Sequence, residues 1–146
     1  MNGERQEGFG LMDTTIFNGK RQSTSVTYLH PIKHRSNLEI LTNVTVNKIL
    51  FENKKAVGVE CKANGKNNKY FSTKEVLLSA GAINSPQLLM LSGIGPEDEL
   101  SKHNIEPVEC LEGVGKNLQD HLETYVQYKC KKPVTCLLYT SPSPRD

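Results

Sequence analysis

The sequence predicts an α/β (α+β) fragment: an antiparallel β-meander, then a strand, a glycine turn and a helix, and finally a loop. Two observations lead to this prediction. Residues 38–72 contain short runs rich in β-branched residues and separated by polar turns, as is typical of neighbouring antiparallel strands. From residue 75 the pattern changes to a short apolar run, a glycine and an aliphatic stretch, which indicates a strand that leads into a helix.

The meander is expected to follow a loop-like region that covers roughly the first thirty residues, where glycines and asparagines interrupt any pattern. A polar turn at Asn53–Lys55 separates two of its strands. Asn64-Gly65 is a strong signal for a tight hairpin and separates the next two. We therefore expect strands near residues 38–42, 44–51, 56–61 and 69–72.

Glu75–Ala80 is a short apolar run that ends at Gly81. Such a run is typical of a strand buried on both faces, as in a parallel sheet, and this chain does not supply the neighbours that the strand would need. The sequence therefore predicts an incomplete domain.

Helix signals follow this run. A helix is expected from Ser85, with Pro86 at its first position, as far as the breaker Ser92–Gly95. A second short helix is expected from Pro96 to Lys102, because acidic residues in a first turn suit the helix dipole. The loop that begins at Gly113 comes after it.

Composition narrows the class of protein. The chain has 146 residues, 18 Lys and Arg, 16 Asp and Glu, and a net charge of +2, which suits one domain and predicts no nucleic-acid partner. No stretch reaches the roughly 18 apolar residues of a membrane span, and the polar opening lacks the apolar run of a signal peptide. The expected setting is cytoplasmic, with no targeting segment in this chain.

The four cysteines, Cys61, Cys110, Cys130 and Cys136, lack the C-x-x-C spacing of a zinc or redox site. We interpret them as structural or incidental thiols, and expect no metal site. His30, His34 and His103 stand among polar residues with no partner pattern and receive no role.

The junction Ala80-Gly81-Ala82 suits a dinucleotide, because a ligand can approach the backbone closely where side chains are small. The helix that follows can present free N–H groups and its positive dipole end. Strand-glycine-helix junctions occur throughout α/β proteins, so the junction alone is equally an ordinary tight turn.

The residues that follow the junction favour the dinucleotide interpretation over an ordinary tight turn. Residues 81–95, from Gly81 through Ser85-Pro86 and Leu88-Leu89 to Ser92-Gly93-Ile94-Gly95, resemble the second signature of the glucose-methanol-choline (GMC) oxidoreductases. Residues 113–121 resemble a loop that follows it in that family, and residues 38–72 resemble the preceding meander. The resemblance covers about residues 7–135, with residues 75–95 as the signature segment, and implies part of a GMC-type FAD-binding fold.

The resemblance also implies site residues. Val46 matches a residue whose backbone contacts the adenine of FAD, although by itself it also fits a strand-core valine. Ala80 and Gly81 match a strand end that lies against the cofactor. Asp120 and His121 match a loop near the flavin and the substrate, although an isolated Asp-His pair is more commonly surface or capping chemistry.

The implied activity of the parent enzyme is hydride transfer from an alcohol to FAD. A small alcohol is the implied substrate, and residues 117–123 favour choline over other primary or aryl alcohols. The chain contains neither the family's G-x-G-x-x-G turn nor its catalytic histidine pair, so we expect it to be inactive alone and assign no catalytic residue. The electron acceptor stays open, membrane association is expected only through the parent's electron-transfer chain, and the location is mitochondrial if the source is eukaryotic.

Residues 136–146 break sharply from what precedes them and resemble a translated sequencing adapter. We expect residues 1–135 to be the middle part of the FAD-binding domain and the remainder to be a non-native tail; the alternative is a genuine Pro/Ser-rich terminus. The alternative for the whole chain is a small independent binding or interaction module derived from a flavoenzyme.

Overall fold

The computed structural model describes residues 13–124 and 131–132, and the fold below refers to them. Seven strands, two α-helices and two irregular helical turns follow one another along the chain. In chain order they are β1 (Ile16–Phe17), β2 (Lys20–Arg21), a π-helical turn (Ser25–Leu29), a 3₁₀ turn (His30–Ile32), β3 (Val44–Glu52), β4 (Lys55–Ala63), β5 (Lys66–Phe71), α1 (Gly81–Leu91), β6 (Ile94–Gly95), α2 (Glu97–Lys102) and β7 (Glu109–Cys110).

The predicted meander is confirmed as a three-stranded antiparallel sheet in the order β3-β4-β5. Both of its turns are two residues long. Asn53 and Lys54 have φ of 49° and 64°, and Asn64 and Gly65 have φ of 50° and 76°, so each turn places two residues in the left-handed region. That geometry matches the right-handed twist of the flanking strands. The register of β3 against β4 shifts between Val46 and Lys48, which marks a bulge near Val46.

The predicted strand at 38–42 is wrong, because this stretch has no regular secondary structure and the first long strand begins only at Val44. Asn43 has φ of 58°, which turns the chain out of an extended path just before β3. Ile40 and Leu41 remain exposed. Residues 38–42 therefore have the composition of a strand, but no described strand pairs with them.

The predicted buried strand at Glu75–Ala80 is also wrong in the described part of the chain. The segment has no assigned secondary structure, and Leu77 within it is 81% exposed. A strand needs a hydrogen-bonded neighbour on at least one edge, and burial on both faces also needs layers packed above and below it. Among residues 13–124 no strand pairs with this segment.

The helix of the signature segment begins at Gly81, four residues earlier than predicted, so that Pro86 lies inside it and not at its first position. A proline there removes one backbone hydrogen bond, the one that the Ala82 carbonyl would otherwise accept. The predicted end is confirmed, since α1 stops at Leu91 and Gly93 follows with φ of +87°. The predicted second helix is confirmed as α2.

The core of the described residues is small. Ile49 of β3, Cys61 of β4 and Leu100 of α2 are its buried apolar side chains, and Ser92 is buried with them. α1 packs against β3, while β6 and β7 form a short parallel pair. Large side chains such as Leu77 and Ile83 stay exposed, which agrees with the expectation of an incomplete domain core. The predicted tail at 136–146 lies outside the described residues.

Candidate functional site

A cavity of about 590 Å³ lies between β3, α1 and the extended segment that precedes α1; we call it the β3–α1 cavity. This volume falls within the roughly 300–1,000 Å³ range of small-molecule sites. Its lining comes from these three elements and from Val59 of β4: Val44, Thr45, Val46, Ile49, Val59, Val76, Leu77, Leu78, Ser79, Ala80, Asn84, Gln87, Leu88 and Leu91.

The chemistry of this lining is neutral. Aliphatic side chains form most of it, and Thr45, Ser79, Asn84 and Gln87 add uncharged hydrogen-bonding groups. None of the described residues that line it is charged. Such a surface suits a flat, weakly polar ring with a hydrogen-bonding edge, and it offers no cation for a phosphate group.

The junction before α1 forms one wall. Ala80 lines the cavity and precedes the first residue of the helix, and the hydroxyl of Ser85 accepts a hydrogen bond from the Ala80 backbone N–H at 3.1 Å. Gly81 has φ of +88°, and a Cβ on it would meet no described atom within 4 Å. No side chain caps the first turn of α1 within residues 13–124. A ligand could therefore approach backbone at this junction.

The other wall is tied to the end of the same helix through Ser92, whose side chain is 0% exposed. Its hydroxyl accepts a hydrogen bond from the Ile49 backbone N–H at 2.8 Å and donates one to the Leu88 carbonyl at 2.6 Å. Sequence reasoning treated Ser92 only as the start of a helix stop. The one sequence signal that could have marked Ser92 as a functional residue was its place in the signature segment.

A second cavity of about 520 Å³, which we call the loop-side cavity, lies where α1 meets the loop after β7. Gln87 of α1 lines both cavities. The lining of the loop-side cavity is Ala82, Ile83, Pro86, Gln87, Met90, Gly115, Lys116, Asn117, Leu118 and Gln119.

The structure brings together some of the residues predicted for the site and not others. Val46 and Ala80 line the same β3–α1 cavity, and Gly81 adjoins Ala80. Asp120 and His121 are exposed and line neither cavity, although they directly follow the loop-side cavity residue Gln119. The Asp120 carboxylate accepts a hydrogen bond from the His121 backbone N–H at 2.7 Å, a local turn contact that fits the capping alternative as well.

The side chains with shifted pKa values all belong to ion pairs on the surface of the described residues. A hydrogen bond from Lys54 to the Glu109 carboxylate, with the attraction of that charge, raises the pKa of Lys54 above its ordinary 10.5. A hydrogen bond to Glu112 likewise raises the pKa of Lys116. In the described residues, no group with a displaced pKa lines the β3–α1 cavity. The electrostatics of that cavity therefore come from neutral dipoles.

Neither a metal site nor a membrane span occurs among the described residues. They hold no cluster of three or more His, Cys, Asp or Glu side chains arranged to bind a metal ion. None of their helices combines the length and the apolar character needed to cross a bilayer.

Comparison with known proteins identifies the class. A sequence model of the GMC oxidoreductases matches residues 1–123, so the chain belongs to the GMC oxidoreductase family. It is 57% identical over 136 residues to mitochondrial choline dehydrogenase of Homo sapiens, a match that covers 92% of this chain and 23% of the human protein. It is 55% identical over 135 residues to the oxygen-dependent choline dehydrogenase of Staphylococcus xylosus, covering 92% of this chain and 24% of that protein.

Solved structures agree with this assignment. Pyridoxine 4-oxidase from Mesorbium loti matches with a TM-score of 0.62 and 32% identity over 66% of this chain and 19% of its own. A formate oxidase matches with a TM-score of 0.59 and 33% identity, over 65% of this chain and 16% of its own. The chain spans about a quarter of the length of the choline dehydrogenases, 23% and 24% of the two described above.

Proposed function

We propose that this chain is part of an FAD-dependent oxidoreductase that acts on the CH–OH group of a small alcohol, and that the β3–α1 cavity receives the adenine end of FAD. The observation that carries the proposal is the meeting of Val46 and Ala80, from two distant segments, in one neutral cavity. Membership of the GMC family supports the class of reaction.

The cavity suits a flat, neutral ring of FAD, and we assign it to the adenine because Val46, which matches the adenine-contacting residue of the family, lines it. An adenine is flat and uncharged, and its edge carries donors and acceptors, which matches aliphatic walls with amide and hydroxyl groups among them. β3 is an edge strand of its sheet among the described residues, so backbone groups on its outer side are free of a strand partner. Those groups near Val46 are the ones proposed to contact the adenine edge.

The pyrophosphate is not assigned to this cavity, because the described lining has no positive charge. We propose that Ala80 and Gly81 lie against the cofactor through their backbone, where the absence of a large side chain permits close approach. Asp120 and His121 are proposed to lie on the flavin side, where His121 would orient a polar substrate or affect the potential around the flavin.

When bound, FAD would accept a hydride from the alcohol, and the protein would supply orientation and electrostatics. We assign no catalytic residue to this chain. Choline is the proposed substrate, supported by the choline dehydrogenases of human and bacterial origin that resemble the chain. We propose a mitochondrial location for a eukaryotic source, with membrane association only through the electron-transfer chain of the complete enzyme.

The test uses the complete protein that contains this sequence. Purified protein should carry the visible absorbance of bound flavin, and anaerobic addition of choline should bleach it as the flavin is reduced. A complete protein that binds no flavin would refute the proposed cofactor, and bleaching by another alcohol alone would refute choline.

A flavin titration of the 146-residue chain tests the expectation that this piece alone does not hold the cofactor. Weak or absent binding is expected, because the described cavity lining offers no positive charge for the phosphates. Tight binding by the isolated chain would contradict that expectation.

A further inference from the structure

Ser92 occupies an unusual position for a serine, since its side chain is 0% exposed in a region where few residues are fully buried. Its hydroxyl serves β3 and α1 at once, by accepting from the Ile49 N–H and donating to the Leu88 carbonyl. A hydroxyl can do both because it has one hydrogen to donate and two lone pairs. No other described side chain bonds to the backbone of β3 from α1 or from the residue that caps it.

The two partners of Ser92 are both part of the β3–α1 cavity, although Ser92 itself is not in its lining. Ile49 lies three residues from Val46 on the same strand, and Leu88 lies on the helix that begins at Gly81. The hydroxyl therefore fixes how far the Val46 wall stands from the helix wall. It does so without contacting anything bound between them.

At the opposite end of α1, the hydroxyl of Ser85 accepts a hydrogen bond from the Ala80 backbone N–H at 3.1 Å. The helix is thus held to the Ala80 wall at its beginning and to the β3 wall at its end. Loss of the Ser92 contact would leave the Ile49 N–H without a partner at a buried position, and the strand would then be free to shift relative to the helix.

We propose that Ser92 is a positioning residue for the cofactor, which sets the width of the β3–α1 cavity through Ile49 and Leu88. This inference rests on the proposed function, because it takes the cavity to be the adenine site. A positioning serine differs from a purely structural one in one measurable way. Removal of the Ser92 hydroxyl should weaken FAD binding by more than the accompanying loss of stability explains.

The test compares variants of the complete flavoprotein. Ser92→Ala should raise the Kd for FAD by about tenfold, since a buried N–H is left unsatisfied beside the site. The rate of substrate-dependent flavin reduction at saturating FAD should be unchanged, because no reacting group is touched. Ser92→Thr, which keeps the hydroxyl, should restore most of the affinity.

Leu100→Val is the matched control, because Leu100 is a buried side chain of α2 that lines neither cavity. It should lower the melting temperature while it leaves the Kd for FAD unchanged. If Ser92→Ala does not fold, Ser92→Cys keeps the side-chain shape, with a slightly larger atom that hydrogen-bonds more weakly, and the same rise in Kd is expected.

Two results would overturn the inference. One is an unchanged Kd in both Ser92→Ala and Ser92→Cys; the other is a rise in Kd that Leu100→Val reproduces at an equal loss of melting temperature. A wild-type protein that binds no FAD would instead refute the proposed function, so the two failures are distinguishable.

Discussion

The hydroxyl of Ser85, inside α1, accepts a hydrogen bond at 3.1 Å from the backbone N–H of Ala80, the residue just before the helix. A side chain of the helix therefore holds the start of that helix in place. No side chain at the N-cap position makes the usual capping bond in the described residues, so Ser85 takes over part of that role from the fifth position of the helix.

Removal of this contact should be felt at the cavity more than in overall stability. In the complete flavoprotein, Ser85→Ala should cost roughly 0.5–1 kcal/mol of unfolding free energy, the value of a single hydrogen bond at a partly exposed site. It should also weaken FAD binding several-fold, because Ala80 lines the β3–α1 cavity. Denaturant unfolding and a flavin titration measure the two effects. Ser101→Ala, at an exposed serine of α2, is the control and should change neither.

Gly81 and Gly65 form a matched pair for locating the cofactor. Both have positive φ, +88° and +76°, and a Cβ on either would meet no described atom within 4 Å. Alanine should therefore cost each position a similar roughly 1–2 kcal/mol through backbone strain alone. Only Gly81→Ala should also lower FAD affinity in the complete protein, because only Gly81 adjoins Ala80 at the proposed cofactor site. Equal affinity in both variants would remove Gly81 from the site.

Gly58 should be the least tolerant glycine of the sheet. A Cβ there would lie 2.2 Å from the carbonyl oxygen of Tyr70, which is backbone of the neighbouring strand and cannot rotate away. Gly58→Ala should cost about 2 kcal/mol or more, since β4 and β5 would have to separate locally.

The midpoint of urea unfolding measures that loss. Gly113→Ala provides the comparison, because its Cβ would meet nothing within 4 Å and its φ is not in the left-handed region. A Gly58→Ala midpoint equal to that of Gly113→Ala would contradict the close strand contact.

Glu99 should titrate below an ordinary glutamate. A hydrogen bond from Lys102, with the attraction of its charge and a smaller effect of His103, lowers the pKa of Glu99 from 4.5. A group with a lowered folded pKa adds stability at pH values above its unfolded pKa, and that contribution is lost as the pH falls through the folded value. The stabilisation of α2 by this pair should therefore begin to fall near pH 4.5 and be lost as the pH drops through the lower pKa of the folded state.

The lowered pKa of Glu99 can be checked by following its carboxyl resonance by NMR as the pH is lowered. Lys102→Met should move the Glu99 titration upward toward 4.5. Because both side chains of the pair are solvent-exposed, the effect on the melting temperature should be small and should shrink further in high salt. An unchanged Glu99 titration in Lys102→Met would show that the ion pair does not form in solution.

The sequence predicted local features best. Asn64-Gly65 specifies a two-residue hairpin by itself, because both residues tolerate the left-handed region that the turn requires. The end of α1 was equally local, set by Ser92-Gly93. The resemblance to a family matched Val46 and Ala80 separately to cofactor contacts, but it did not predict that they line one cavity, and no pattern within either segment indicates it.

Features that depend on distant partners were not predictable. Leu38–Thr42 and Glu75–Ala80 have strand-like composition, but a strand exists only where another strand pairs with it, and none does in the described residues. The contact of Ser92 with Ile49 joins residues 43 positions apart, and a serine beside a glycine gives no sign of it. Composition fixes what a segment tolerates, whereas the tertiary contacts decide what it becomes.

The extended segment before α1 has a consequence for handling the isolated chain. Val76, Leu77 and Leu78 are adjacent aliphatic residues, Leu77 is 81% exposed, and no described strand covers the backbone beside them. A bare backbone edge with an apolar, uncharged sequence is a template for pairing between molecules. Concentrated solutions of the chain should therefore precipitate through intermolecular β-pairing at this segment before the β3–β4–β5 sheet melts.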